Sequence, residues 1–322
     1  MIELANRKVY LTISRLGSMV MIMGLFVYFS FLMPDIWLTT YNLMNLVEQT
    51  VSLGLVALGL TVVRAAGEMD LSVGSMVSLA SMLSMGLIMA GRPIWLAIVI
   101  ALFAGLSVGF VNGFMRTTMR IPGVIPTIGS QGAVAGIALI YNWGNMIFGR
   151  GPAVDAFCNI GRGYIGPISI PAAIFLVVAF VIWFLLNRTK YGRLLYMIGG
   201  NPEASRLSGV KVNRHIRLSY IMCGILAASS GIMMTARIGA GNPLGGNDLL
   251  LDGIIAVMVG STVLAGEQEF NPVGSIVGAF FVTLVMTGLQ MIGKGYHVQC
   301  ILRGVLLLVA LTLFSLQRRA SE

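Results

Sequence analysis

Apolar runs of about 20 residues follow one another along the chain, and polar residues gather in the stretches between them. A hydrocarbon layer about 30 Å thick takes about 20 residues of helix to cross. The pattern therefore predicts about ten membrane spans, near 17–33, 46–64, 71–90, 94–115, 122–142, 168–187, 217–236, 249–266, 272–292 and 298–316. The fold class expected is all-α, a polytopic membrane protein whose residues 1–322 form one transmembrane domain. Two connections are long: a Gly- and Pro-containing stretch from Trp143 to Pro167, and a basic one over 188–217.

Composition agrees with a lipid solvent. Charged residues make up 10% of the chain against 57% hydrophobic, far below the charge a water-exposed surface carries. The 40 Gly and 21 Met suit closely packed membrane helices. A net charge of +9 raises the question of nucleic acid, but the basic residues lie mostly in short connections, where they set orientation instead. With the N-terminus inside, fifteen of the 21 Lys and Arg fall on the cytoplasmic side and five outside, with Arg303 left in the last span. Both termini are thus expected in the cytoplasm. Arg7, Lys8 and Arg15 precede the first span as in a signal peptide, but Met33, Pro34 and Asp35 follow it in place of a small-residue cleavage site, so the span is expected to stay as an anchor. Cys158, Cys223 and Cys300 lack the spacing of a disulfide framework or a zinc site.

Several enzyme motifs occur by spacing and fail by context. Gly161, Gly163 and Gly166 match a dinucleotide fingerprint, yet they precede Pro167 outside any βαβ unit and are expected to be turn glycines. The run from Gly288 to Lys294 approaches a P-loop, but Gly295 stands where a hydroxyl would bind magnesium. Gly105, Ser107 and Gly109 imitate a nucleophile elbow in the middle of a span, while the two imidazoles, His215 and His297, lie in other segments. Gly105, Gly109 and Gly113 instead predict a smooth helix face that a neighbouring backbone can approach. No catalytic constellation and no cofactor or metal site is expected.

The basic connection contains a short helix with its own punctuation. Asn201 can cap it, Pro202 fits its first position, Glu203 faces the positive end of its dipole, Arg206 the negative end, and Gly209 can take a left-handed stop. Two turns are too short to stand alone in water, and Ala204 and Leu207 offer a partner an apolar edge. Gly192, Gly199 and Gly200 are expected to allow sharp turns before it. Elsewhere Asp70, with Ser72 beside it, is expected to cap the following span at the membrane surface. Asp252 is expected to open a later one, which would suit an inverted repeat of spans two to five and seven to ten. Most polar residues within the spans are uncharged. Ser72, Ser78, Asn112, Gln131 and Thr283, with Asp70 before its span, are candidates for touching a polar solute; bonding between helices is the competing role for each. Glu48 is an acidic exception.

These residues resemble the ribose-type sugar permeases of bacterial ABC importers over nearly the whole chain. The landmarks are Asp70 to Ser75 (Asp-Leu-Ser-Val-Gly-Ser), Ile121 and Pro122 with Thr127 to Gly129, Tyr191 to Arg193, Ile198 to Asn201, and Arg206 to Val210. The resemblance implies a dimeric pore in the bacterial inner membrane, made with a second copy or a paralogue. It also implies two ABC ATPase subunits docked inside, which hold the ATP, and a periplasmic or extracellular substrate-binding protein docking outside. It makes the helix around Glu203 the coupling helix in the ATPase groove. Three places depart from the pattern: Glu267 and Glu269 make an internal loop acidic, Gly67, Glu68 and Met69 stand where Gly-Gly-Ile is usual, and Arg is absent from the middle of span five. Similar permeases carry autoinducer-2, nucleosides, inositol or branched-chain amino acids, and an ion-coupled secondary transporter is the remaining alternative.

Overall fold

The structure, a computed structural model, describes residue 20 and residues 22–263 and 270–319. Arg7, Lys8 and Arg15 and the acidic loop at Glu267 and Glu269 lie outside the described residues. The helices in chain order are α1 (Ile22–Leu32), α2 (Pro34–Trp37), α3 (Thr40–Ala65), α4 (Val73–Met89), α5 (Ile94–Thr117), α6 (Val124–Ile140), α7 (Pro152–Arg162), α8 (Ile170–Arg188), α9 (Lys190–Gly200), α10 (Pro202–Leu207), α11 (Val212–Ile238), α12 (Asn247–Val263), α13 (Pro272–Met291) and α14 (Tyr296–Arg319).

Helix is thus the rule, as the apolar pattern requires, with two small exceptions among the described residues. Strand β1 (Ile147–Phe148) pairs antiparallel with β4 (Ala240–Gly241), and β2 (Tyr164–Ile165) with β3 (Ile168–Ser169). The stretch 143–167 is therefore not an open loop. It carries β1, α7 and a hairpin turned at Gly166, whose φ is +61°. Gly161 is helical instead of a turn residue; a Cβ there would sit 2.8 Å from that of Ala236, so the missing side chain serves close packing.

Six described helices are long and apolar enough to cross a membrane: α3, α5, α8, α11, α13 and, over Tyr296–Ser315, α14. Three further apolar helices, α1, α4 and α6, are shorter. Of these α4, rich in Gly and Ser, lies in the interior, and thirteen of its 17 residues are buried. By contrast, only 22% of the apolar window of α5 and 28% of that of α8 is buried, leaving apolar side chains outward for lipid.

The chain divides into two units, Val51–Leu250 and Met1–Thr50 with Leu251–Glu322. Inside the first, α11 lies against α5 where small residues face small residues. A Cβ on Gly105 would sit 2.7 Å from that of Ala228, one on Gly109 2.9 Å from Ile221 Cα, and one on Gly113 3.0 Å from Arg217 Cα. The fourfold glycine spacing is indeed a close-approach face. On its other side α11 meets α4, where Thr235 Oγ1 donates to Ser81 Oγ at 2.6 Å, and it is tied to α3 by Ser230 Oγ, which donates to the Ser52 carbonyl at 2.7 Å. A core of Ala80, Met85, Ile88, Ala101, Phe157 and Ile232 fills the space between. Gly239, at φ +80°, stops α11.

Inside the second unit, Phe29, Trp37, Leu46 and Leu284 form an apolar core, and α12 crosses α13 at Gly260 and Gly274. Asp252 does not open its helix; α12 starts at Asn247, with Asp248 in the first turn. Asp252 lies further in, 2.9 Å from Arg303 Nε of α14, with side chains only 8% and 7% exposed. Two charges in an apolar layer find each other because either alone would be costly there.

Candidate functional site

The segment 188–217 folds as two short helices. In α10, Asn201 Oδ1 accepts the Ala204 N–H at 2.9 Å, Pro202 holds the first position, and Gly209 turns left-handed at φ +80°. Glu203 and Arg206 pair across one turn at 2.7 Å. The capping expected from the sequence is present atom for atom. Asn201 also ends α9, its N–H donating to the Met197 carbonyl at 3.0 Å, so one residue joins both rods. Ser205 is the inward residue of α10, donating to the Asn201 carbonyl at 2.8 Å, while Ala204 is exposed and Leu207 is 90% exposed. A short helix thus carries an apolar tip that nothing among the described residues covers.

The glycines before α10 behave differently from expectation. Gly192, Gly199 and Gly200 lie within α9 instead of forming turns. At Gly199 the reason is contact: a Cβ there would meet Gly67 N at 3.1 Å, and one on Gly67, at φ +76°, would meet Gly199 Cα at 3.2 Å. The end of α9 therefore rests, backbone on backbone, against the turn leading from α3 towards Asp70.

Asp70 is buried, not at a solvated surface, and the N-cap position of α4 belongs to Ser72. Asp70 Oδ1 accepts from the Ser72 N–H at 2.9 Å and the Ser72 hydroxyl at 2.6 Å. Asn112 Nδ2 donates to Ser72 Oγ at 2.9 Å, and Ser130 Oγ donates to Asn112 Oδ1. A polar chain thus crosses from the α4 entry through α5 to α6. Asp70 Oδ2 has the Cys223 thiol, a weak donor, as a neighbour and no hydrogen bond of ordinary geometry. Burial pushes the Asp70 carboxyl up, against the opposing Ser72 bonds.

Of the other residues proposed to touch a solute, Ser78 Oγ accepts the Gly246 N–H at 3.0 Å, a packing bond, and Gln131 is half-buried on α6. Thr283 is buried on α13, in the other unit. Ser72, Asn112 and Asp70 are the three the fold brings together. Many of the remaining hydroxyls bond a carbonyl of their own helix, as Thr50, Thr61 and Ser229 do, while Thr287 Oγ1 ties α13 to α3 by donating to Gln49 Oε1 at 3.1 Å, and Ser81 Oγ receives the Asn242 N–H at 3.0 Å.

Sequence reasoning missed a second cluster. Arg116 Nε donates to Glu68 Oε1 at 2.7 Å, and Tyr220 Oη lies 3.4 Å from Glu68 Oε2 and 3.3 Å from the Met69 carbonyl. Gly123 leaves room for this meeting, since a Cβ would sit 2.5 Å from Tyr220 Oη. Burial raises the Glu68 carboxyl above its ordinary value while Arg116 opposes it. The departure at Glu68 was the available signal. Among the described residues no group of three or more His, Cys, Asp or Glu is placed to hold a metal, and the three cysteines are free thiols.

Residues 42–311 match the family model described as the permease component of a branched-chain amino acid transport system. The chain is 35% identical over 300 residues to the ribose import permease of Bacillus subtilis (strain 168), covering 93% of this chain and 92% of that one. It is 30% identical over 298 residues to the ribose import permease of Escherichia coli (strain K12), covering 91% of each. The xylose transport system permease of the same strain is 28% identical over 362 aligned positions, covering 93% of this chain and 91% of that one. No solved structure matches the chain. With an apolar helical body, a self-capped rod outside it and these relatives, the chain belongs to the transport-system permease family that the branched-chain amino acid component defines.

Proposed function

We propose that this chain is the membrane-spanning subunit of an ABC importer that carries ribose or a closely similar monosaccharide, and that it is not itself an enzyme. The observation that carries the reading is α10, a rod capped at both ends with Leu207 90% exposed. Its size and apolar tip suit insertion in a groove of a partner. In this reading residues 1–322 form one permease domain that crosses the bacterial inner membrane about ten times, with both termini cytoplasmic and 188–217 facing an ABC ATPase subunit that binds the ATP. Spans two to five and seven to ten would form an inverted repeat. A periplasmic or extracellular binding protein delivers the solute, and a second copy or paralogue completes the pore.

Force arrives on Asn201, Pro202, Glu203, Ala204, Arg206, Leu207 and Gly209 and passes through Gly199 to the Gly67 turn. From there it bears on Asp70 and Ser72 and, through Asn112, on α5. The sugar assignment is supported by the ribose and xylose relatives and by the uncharged Ser, Thr and Asn groups within the spans, which match a neutral polyol. Ser78, Gln131 and Thr283 complete the proposed path.

The test is reconstitution with the cognate ATPase and binding protein, reading ATP hydrolysis stimulated by the ribose-loaded binding protein. Leu207→Asp places a charge at the docking tip, and loss of a buried anchor costs about 2 kcal/mol or more, over tenfold in association. Undiminished association and stimulated hydrolysis in that variant would refute the coupling role. Uptake driven by an ion gradient without ATP would refute the importer class.

A further inference from the structure

A cavity of about 430 Å3 opens between the end of α5, the start of α11 and α10. Arg116, Arg120, Arg206, Glu203, Thr117 and Asn213 line it, so three guanidinium groups face one carboxylate. Arg116 spends its Nε on Glu68 and Arg206 an NH1 on Glu203, which leaves most of the five N–H donors of each uncommitted. Arg120 makes no hydrogen bond or ion pair with any described residue. Its backbone, at φ +58°, is in the left-handed region, which is unfavourable for a side chain of this size. A fourth guanidinium, Arg217, donates to the hydroxyl of the lining residue Thr117 and to that of Thr118 at 3.0 Å each, neither of which offsets its charge.

We propose that this cavity is a binding site for a phosphate group, supplied by an anionic lipid headgroup or by a free phosphate. A carboxylate is satisfied by one guanidinium fork, whereas a tetrahedral phosphate presents oxygens in several directions and suits forks converging from separate elements. The site lies where α5 leaves its apolar run, the level at which headgroups lie, and basic pockets between spans at that level take up anionic headgroups. The strain at Arg120 fits the same account, because it holds a cation at the mouth that no protein group uses. An occupant bridging Arg116 and Arg206 would brace α10 against α5. That consequence rests on the coupling reading; the binding itself does not.

Arg120→Gly tests the site without endangering the fold, since glycine adopts the observed φ freely. The full-length permease in mild detergent is challenged in one arm with phosphatidylglycerol against phosphatidylcholine, counting retained lipid by native mass spectrometry. In the other arm it is titrated with inorganic phosphate, reading the thermal midpoint. Preferential retention of phosphatidylglycerol, reduced about tenfold in the variant, identifies the lipid as the source. A midpoint raised by phosphate in the wild type and unmoved in the variant identifies the free anion. If wild type and variant respond alike in both arms, the proposal is wrong whatever the protein transports, and failure of transport with binding intact would fall on the importer reading alone.

Discussion

Replacing Gly109 by Ala places a methyl group inside the close α5–α11 crossing. The new Cβ would lie 2.9 Å from Ile221 Cα and closer still to the Tyr220 carbonyl, both of them backbone atoms that no rotamer change can move. Carbon atoms settle about 3.5–4.0 Å apart, so the helices must separate by roughly 0.6–1.1 Å at this level. Overpacking of this kind costs about 1–3 kcal/mol, and the helix-propensity gain of Gly→Ala returns up to about 1 kcal/mol, leaving a net loss of about 1 kcal/mol, rising to about 2 kcal/mol if the helices yield little. The same separation opens space at the Gly105 level, where a Cβ would sit 2.7 Å from that of Ala228. Gly105→Ala and Gly109→Ala combined should therefore lose less than the sum of the two. Gly304→Ala on α14, where nothing lies within 4 Å of the added carbon, is the control and should be neutral or slightly stabilising. Equilibrium unfolding in mixed micelles measures the four variants, Gly109→Ala, Gly105→Ala, their combination and Gly304→Ala, against the wild type. A Gly109→Ala midpoint equal to that of wild type would refute the argument that backbone proximity, and not apolarity alone, holds α5 to α11.

Removing one partner of the buried Asp252–Arg303 pair leaves a charge stranded between helices, so Arg303→Ala should destabilise by about 3–5 kcal/mol; Asp252→Asn combined with Arg303→Gln should recover much of that in the same unfolding assay. Asn201→Ala removes the bond to the Ala204 N–H and should cost α10 about 1 kcal/mol, seen as faster amide exchange at residues 203–206, with Asn201→Asp restoring protection. Burial raises the Glu68 carboxyl in the folded state, so between its ordinary value of 4.5 and the raised one the folded chain holds more protons than the unfolded chain. Stability contributed by Glu68 is therefore greatest at low pH and falls as pH rises through that window. Glu68→Gln should flatten the slope of the unfolding midpoint against pH, and an unchanged slope would contradict this.

What the sequence made legible is what local rules encode. The caps of α10 depend on residues within four positions of one another, so Asn201, Pro202, Glu203, Arg206 and Gly209 could be assigned in place before any fold was known. The glycine face of α5 was readable because a helix repeats its face every three to four residues. Gly199 read as a turn because its partner, Gly67, is far away in the sequence and nothing local announces the contact. The Glu68–Arg116 and Asp252–Arg303 pairs were illegible for the same reason, each joining segments about fifty residues apart. Asp70 was assigned to the correct stretch and the wrong environment: an Asx turn looks like a helix cap in sequence, and only the packing around it shows that it is buried.

The meeting of Gly67 and Gly199 sets the segment 188–217 directly against the Asp70 turn, backbone to backbone. Two side chains in contact can trade rotamers and swallow travel; two glycine backbones have only their dihedrals to yield, and here those are fixed by α9 and by a left-handed turn. If α10 is the docking rod proposed above, a stroke reaching one would pass to the other with no side chain between them. The cadence of the transport cycle would then be set by the motor and not by slack in the linkage.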